Sequence, residues 1–337
     1  MTEQNSRIPP VRSVWRAFDR WSVGAVLVAL LVVMPIGAVL WIALTPTENI
    51  WPHLVATTLP RYLENTAVLV VAVGILAAIV GTGTAWMVTM YRFAGSGWLQ
   101  WLLLLPLAIP AYVGAYALVD FLEFAGPVQG ALRAVFGWSS AQDYWFPEIR
   151  SRGAAIVVLA AALYPYVFLM ARSAFAEQSG HGYEVARALG AGPFVRFWRV
   201  GLPLARPAIA AASAIVMMET VSDFGVVSYF SVQTLTTGIF STWLDGGNAG
   251  GAAQIASVVL IVVLVLVGLE KHSRGRVRFF AISRQKYPAQ AIQLVGWRGR
   301  LAAGLCLLPF VVGFVLPGGV ILAHEIGRAH VCTPVTS

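Results

Sequence analysis

Glu184-Val-Ala-Arg-Ala-Leu-Gly-Ala-Gly-Pro-Phe-Val-Arg-Phe-Trp-Arg-Val-Gly-Leu-Pro203 is a polar, basic island between two long apolar runs, at about 154–174 and 207–230. Residues 177–189 suit a short helix, with Val185, Ala188 and Leu189 able to share one face at helical spacing. Gly190 and Gly192 then stop that helix, and Pro193 suits the first turn of another. Leu202-Pro203 is expected to end the second piece. The stretch predicts a helix–Gly–helix elbow over 177–206, carried between two membrane spans.

The rest of the chain agrees with spans on both sides. Of 337 residues, 58% are hydrophobic and only 11% charged, whereas an ordinary soluble domain carries about 25% charged residues. Apolar runs lie at about 23–44, 65–90, 98–119, 154–174, 207–230 and 252–269, and a seventh begins near Leu301. Each reaches the roughly 17–25 residues that carry a helix across about 30 Å of hydrocarbon. The first run is too long for a signal-peptide core and lacks a small-residue cleavage site, so it reads as a retained span. The expected fold class is an all-α polytopic membrane protein embedded in a lipid bilayer.

Charge sets the orientation. Segments 1–20, 91–97, 172–206 and 270–300 hold 18 of the 23 Lys and Arg, while the alternate loops 45–62, 120–152 and 231–251 hold 4. This asymmetry places the N-terminus and the elbow in the cytoplasm. The net charge of +8 is therefore a loop bias, and no nucleic-acid partner is expected. Cys306 and Cys332 imply neither a disulfide framework nor a Cys-rich metal site.

The fifth run carries two acids, in Met217-Met-Glu-Thr-Val-Ser-Asp-Phe-Gly-Val-Val-Ser-Tyr-Phe230. Glu219 and Asp223 are four apart, so a continuous helix puts them on one face one turn apart, with Ser222 beside them. Ionisable groups at membrane depth usually face a bundle interior or a pathway. Like charges at this spacing repel, and a cation or a proton relieves them. Four readings follow: Glu219, Ser222 and Asp223 line a substrate path, with Glu219 and Asp223 making transient contacts with a metal; Glu219 locks packing through a bond across helices; Asp223 sits at a half-helix terminus where Gly225 loosens the backbone; or the acids serve a contact between subunits. Pro106 and Pro110 in the third run and Pro165 in the fourth either kink helices around a path or are tolerated in the bundle. Trp138, Tyr144 and Trp145 in the loop 120–152 read as interfacial aromatics on a short outer helix, or as a docking loop.

The elbow resembles the cytoplasmic loop signature of the permeases of binding-protein-dependent ABC importers, which is Glu-Ala-Ala, three residues, Gly, nine residues, Ile, one residue, Leu-Pro. Glu184, Ala186, Gly190, Leu202 and Pro203 match at that spacing; Val185 stands where the pattern has Ala, and Val200 where it has Ile. The resemblance implies a six-helix permease unit whose elbow is a coupling helix seated in a groove of a separate ABC ATPase dimer. Glu184 would then orient the elbow, Gly190 permit its turn, and Ala186 and Leu189 contact the groove. ATP and Mg would belong to that ATPase, with no cofactor in this chain. The other implied partners are a solute-binding protein outside and a second permease half, fused or as a second copy, in the bacterial inner membrane. The Glu219–Phe230 run and Thr234-Leu-Thr-Thr-Gly-Ile-Phe240 resemble the iron(III) branch of these permeases, which borders the thiamine, phosphonate and polyamine permeases. A competing expectation is an ion-driven secondary transporter that uses Glu219 and Asp223 as a relay.

The absence of Gly-x-x-x-x-Gly-Lys-Ser/Thr means that this sequence carries no phosphate loop of its own, and no Ser-His-Asp or His-Glu-x-x-His arrangement supports an enzyme. The layout expected is a cytoplasmic segment 1–20, a six-span permease domain 21–270, a basic cytoplasmic linker 271–298 and the first helix of a second permease unit over 299–324. The linker is either a plain connection or a contact for anionic lipid heads. Residues 325–337 read as the translation of a sequencing-adapter oligonucleotide, so they are expected to be a non-native tail on a chain that continues. His324, His330 and Cys332 are accordingly given no function.

Overall fold

In hydrocarbon a backbone must satisfy its polar groups within its own segment, so each apolar run of roughly twenty residues folds as a helix. The structure is a computed structural model that describes residues 20–274 and 291–331. The elements in chain order are α1 (Arg20–Leu44), α2 (Trp51–Thr57), α3 (Leu59–Met90), β1 (Tyr91–Arg92), α4 (Ser96–Leu102), α5 (Ala111–Leu122), α6 (Pro127–Phe136), α7 (Arg152–Ala176), α8 (Gly180–Ala188), α9 (Pro193–Arg196), α10 (Leu202–Ser222), α11 (Gly225–Tyr229), α12 (Leu235–Phe240), α13 (Ala249–Arg274), β2 (Ile292–Gln293), α14 (Trp297–Phe310) and α15 (Leu316–Val331). The segments long and apolar enough to cross a membrane are Trp21–Leu44, Leu59–Met90, Arg152–Ala176, Pro193–Ser222, Ala249–His272 and Trp297–His324. The protein is an all-α polytopic membrane protein; the strands among the described residues are one short parallel pair, Tyr91 opposite Ile292 and Arg92 opposite Gln293. The N-terminal segment before Arg20, most of the basic linker and Cys332 with the residues after it lie outside the described residues.

The third apolar run is not the single helix that its hydropathy predicts. It is helical from Ser96, passes through a 3-10 turn at Leu105–Ala108 and re-forms as α5, with Ser96–Ala108 and Ala111–Phe136 bent by 94°. Pro106 and Pro110 are the cause, since each lacks an N–H and each ring collides with the carbonyl four residues back. Pro165 has no such effect: α7 runs through it, with the ring buried in the bundle.

Pro203 does not end the second piece of the elbow, as the sequence suggests. A π-turn over Phe197–Gly201 joins α9 to α10, and the helix continues to Ser222. The wider turn carries the chain past a residue that cannot donate, and Pro203 takes the second position of α10.

The core lies between α3, α7 and α10, where Tyr164, Phe168 and Phe175 are fully buried. Helix α14 joins the same core through Ala302 and Cys306. Helix α1 lies on α13 and otherwise exposes its apolar face. The ends of the bundle are distinct. At one end β1, β2 and α8 gather around a single recess. At the other, Arg152 bonds Asn65 (3.0 Å) and pairs with Glu64 (3.6 Å), Asn65 donates to the Gln233 carbonyl (2.7 Å), and Arg150 pairs with Glu123 (3.4 Å). Helix α6 and its loop sit at this second end, with Phe136, Trp138 and Tyr144 stacked at 4.7 and 4.8 Å. In that loop the backbone N–H groups of Ser139 and Ser140 donate to Asp143 and hold its carboxyl below the usual carboxylate range.

Packing of this kind replaces the hydrophobic effect as the force between helices in lipid. Phe168→Ala should therefore lower stability by about 3 kcal/mol through the cavity it opens. Leu169→Ala, at a half-exposed position on the outer surface, should leave the thermal unfolding midpoint of detergent-purified protein within error of the parent.

Candidate functional site

The elbow is built on one buried ring. Tyr183 of α8 is 8% exposed and tucks under Trp86 of α3. Trp86 also meets Phe175 edge-on at 5.2 Å and Phe197 at 5.2 Å, with Tyr183 at 5.9 Å. Burial raises the Tyr183 phenol above its ordinary pKa. With this side anchored, the opposite side of α8 faces out: Val185 is 59% and Leu189 82% exposed, and Ala186 is half-buried. Glu184 lies 3.8 Å from His181 on the surface, a pair of small energetic weight. The helix ends in a Schellman turn, in which Ala191 N–H donates to Ala186 O (2.9 Å) and Gly190 N–H to Arg187 O (3.0 Å). Gly190 has φ +79°, a conformation that a side chain disfavours. Of the six elbow residues singled out in sequence, Glu184, Ala186, Leu189 and Gly190 come together on this turn, while Leu202 and Pro203 stand in the root of the long helix behind it.

The second site lies at the other end of that helix. Glu219 is in α10, but α10 stops at Ser222, and Asp223 is extended (ψ 131°). The two acids thus do not share a helical face as the four-residue spacing predicts. Asp223 instead caps α11: its Oδ1 accepts from the N–H groups of Val226 (3.0 Å) and Val227 (3.2 Å). The break is held from behind. Thr236 donates its hydroxyl to the Asp223 carbonyl (2.7 Å), Thr234 and Thr237 form a capping box at the start of α12, and Leu235 N–H donates to Thr66 Oγ1 of α3 (3.0 Å). Ser222 returns its hydroxyl to Met218 O (3.1 Å) within its own helix.

Glu219 and Asp223 both line a cavity of about 210 Å³, with Tyr166 of α7 and Pro106, Ile109 and Pro110 of the broken third span. No described Lys or Arg lines it. Glu219 makes no hydrogen bond or ion pair with another described residue, so the alternative reading of a bond locking helices together finds no partner among the described residues. No cluster of three or more His, Cys, Asp and Glu able to hold a metal occurs among the described residues.

Residues 70–279, more than half of the chain, match the family described as binding-protein-dependent transport system inner membrane component. The chain belongs to this family. Relatives within it differ in their named cargo. The chain is 26% identical over 214 residues to the Fe(3+)-transport system permease protein FbpB 2 of Haemophilus influenzae, covering 64% of this chain and 38% of that protein. It is 28% identical over 269 residues to the sulfate transport system permease protein CysT of Synechococcus elongatus, covering 77% and 94%. With the molybdenum transport system permease protein ModB of Azotobacter vinelandii it shares 32% over 155 residues, covering 45% and 64%. A crystal structure of a bacterial alginate ABC transporter with a periplasmic protein superposes with a TM-score of 0.63 at 18% identity, over 78% of this chain and 97% of that one, which shows a common fold. The permease fold and the inner-membrane setting are thus established together.

Several residues of these sites carry no signal in the sequence. Trp86, Tyr166 and Thr66 sit in apolar runs that look like plain spans. The Thr234-Leu-Thr-Thr stretch was legible as a motif, but its work as cap and brace for Asp223 depends on a turn that no periodicity shows. His324, given no function from sequence, accepts or donates between Asp120 (3.1 Å) and Tyr116 (3.2 Å) and joins the last helix to α5.

Asp223→Ala should free the start of α11 at a cost of about 1 kcal/mol, as for other lost caps. Hydrogen exchange should then speed up at the amides of 225–230 and stay unchanged in the middle of α10.

Proposed function

We propose that the chain is the membrane-spanning subunit of an ATP-driven importer, and that its cargo is ferric iron delivered by a solute-binding protein. The observation that carries the cargo reading is the unpartnered Glu219 beside Asp223 in a cavity with no basic lining residue. Two carboxylates repel an oxyanion and attract a cation, so the cavity disfavours cargoes of the sulfate and molybdate kind. The resemblance of the 219–230 run to iron(III) permeases and the Haemophilus relative point the same way. With fewer than three ligands converging, the site suits a cation in passage rather than one held. Thiamine or a polyamine, also cationic, is the nearest alternative cargo.

In this reading the elbow is the coupling helix. Val185 and Leu189 supply its apolar tip and Gly190 its turn, and they enter a groove on a separate ATPase that binds ATP and Mg. Two permease halves rock about the cavity as the ATPase closes. The N-terminus lies in the cytoplasm with the elbow. The same acids would also serve an ion-driven transporter, which needs no ATPase.

The test is uptake of radiolabelled Fe(III) into vesicles holding the chain with its ATPase and binding protein. ATP-dependent Fe(III) uptake is expected, reduced about tenfold or more in Glu219→Gln, the order of effect of one lost charged contact. Uptake of molybdate or sulfate in place of Fe(III) would overturn the cargo, and uptake driven by an ion gradient without ATP would overturn the importer. Gly190→Val should leave ATP hydrolysis running while uptake collapses.

A further inference from the structure

We propose that Gln178 is the positioning residue of a joint that transmits movement of the elbow into the helix bearing Glu219. This rests on the importer reading above and names the part of the chain that makes coupling work. Gln178 lies in the short connection from α7 to α8 and is 8% exposed. Its amide serves two elements at once. Nε2 donates to the carbonyl of Gly201 (3.0 Å), the last residue of the π-turn at the root of α10, and Oε1 accepts the hydroxyl of Tyr183 on α8.

The site admits little slack. A Cβ on Gly201 would stand 2.4 Å from Cζ3 of Trp86 and 3.1 Å from the Tyr183 hydroxyl, so only glycine lets the root of α10 approach this closely. Trp86, against Phe175, Tyr183 and Phe197, closes the remaining sides. A tilt of α8 must therefore carry Gly201 with it or strip two hydrogen bonds in a buried setting, where an unmade bond is costly. From Gly201 the chain is continuous helix to Glu219. The π-turn gives that helix a place to pivot beside the joint. Glutamine is suited to the position because its amide donates and accepts together; a hydrocarbon of the same shape does neither.

The experiment compares Gln178→Met and Tyr183→Phe with wild type as purified complexes in vesicles, reading bound ATPase, ATP hydrolysis and Fe(III) moved per ATP. Tyr183→Phe keeps the aromatic packing and guards against a merely unfolded variant. The result expected is undiminished ATPase binding and continued hydrolysis with transport per ATP reduced about fivefold or more, the lower range of coupling between sites. The double variant should be no worse than either single one, since both remove the same link. Transport per ATP unchanged in assembled complexes would overturn the joint alone. Loss of ATPase binding in the variants would also overturn it, since the network would then only shape the docking face. A wild-type chain that retains no ATPase would overturn the importer reading, and the joint with it.

Discussion

A backbone broken inside a bilayer must find partners for its freed N–H and C=O groups within the protein, because hydrocarbon offers none. Among the described residues two apolar runs of this chain break in this way. At 105–110 the prolines remove donors, and short-range bonds such as Leu107 N–H to Leu104 O (3.1 Å) and Ile109 N–H to Pro106 O (3.2 Å) carry the turn. At 223–235 the freed groups are met by side chains: the Asp223 carboxylate, Thr66, Thr236 and the Thr234–Thr237 box. The two breaks face each other across one cavity. Irregular backbone is tolerated there because it lines a space, and Asp223, which helps to repair it, also supplies part of that space's acidic wall.

The elbow and the cavity are then two ends of one object. The helix from Pro193 to Ser222 spans 30 residues, or about 45 Å at 1.5 Å per residue. Its base is fixed by the aromatic cage on Trp86, and its far end terminates at the acid that caps α11. The buried side of α8 and its exposed side divide the labour. Tyr183 ties the helix to the bundle, which leaves Val185 and Leu189 as an exposed apolar tip among the described residues.

Much of this was readable in the sequence, and the misses have particular causes. Hydropathy located the spans because apolar length is a direct requirement of the bilayer. The elbow was legible because Gly190 must sit at positive φ and small residues flank it. Pro203 misled because a proline usually closes a helix; here the π-turn before it absorbs the missing bond. The run 98–119 misled because hydropathy is blind to direction, so a 94° bend and a straight span score alike. Glu219 and Asp223 misled because their spacing assumes a continuous helix, and the stop at Ser222 depends on Thr66 and Thr236 from distant positions. Asp223 sits at a half-helix terminus, accepting from the first turn of α11, while it also lines the cavity.

The strand pair has a consequence for how the chain holds together once cut. Parallel strands need a crossover between them, and here β1 and β2 are separated by most of the chain. Leu294 N–H also donates to Arg92 O (2.8 Å), so the start of α14 is registered on the end of the bundle where α3 finishes. A protease nick between 274 and 292 would convert a tethered contact into a bimolecular one and forfeit its high effective concentration. The severed helix would still hold a bonded strand, the buried Ala302 and Cys306, and the Asp120–His324 contact at its far end. The two fragments should therefore migrate as one particle in mild detergent and separate only when the bundle itself unfolds.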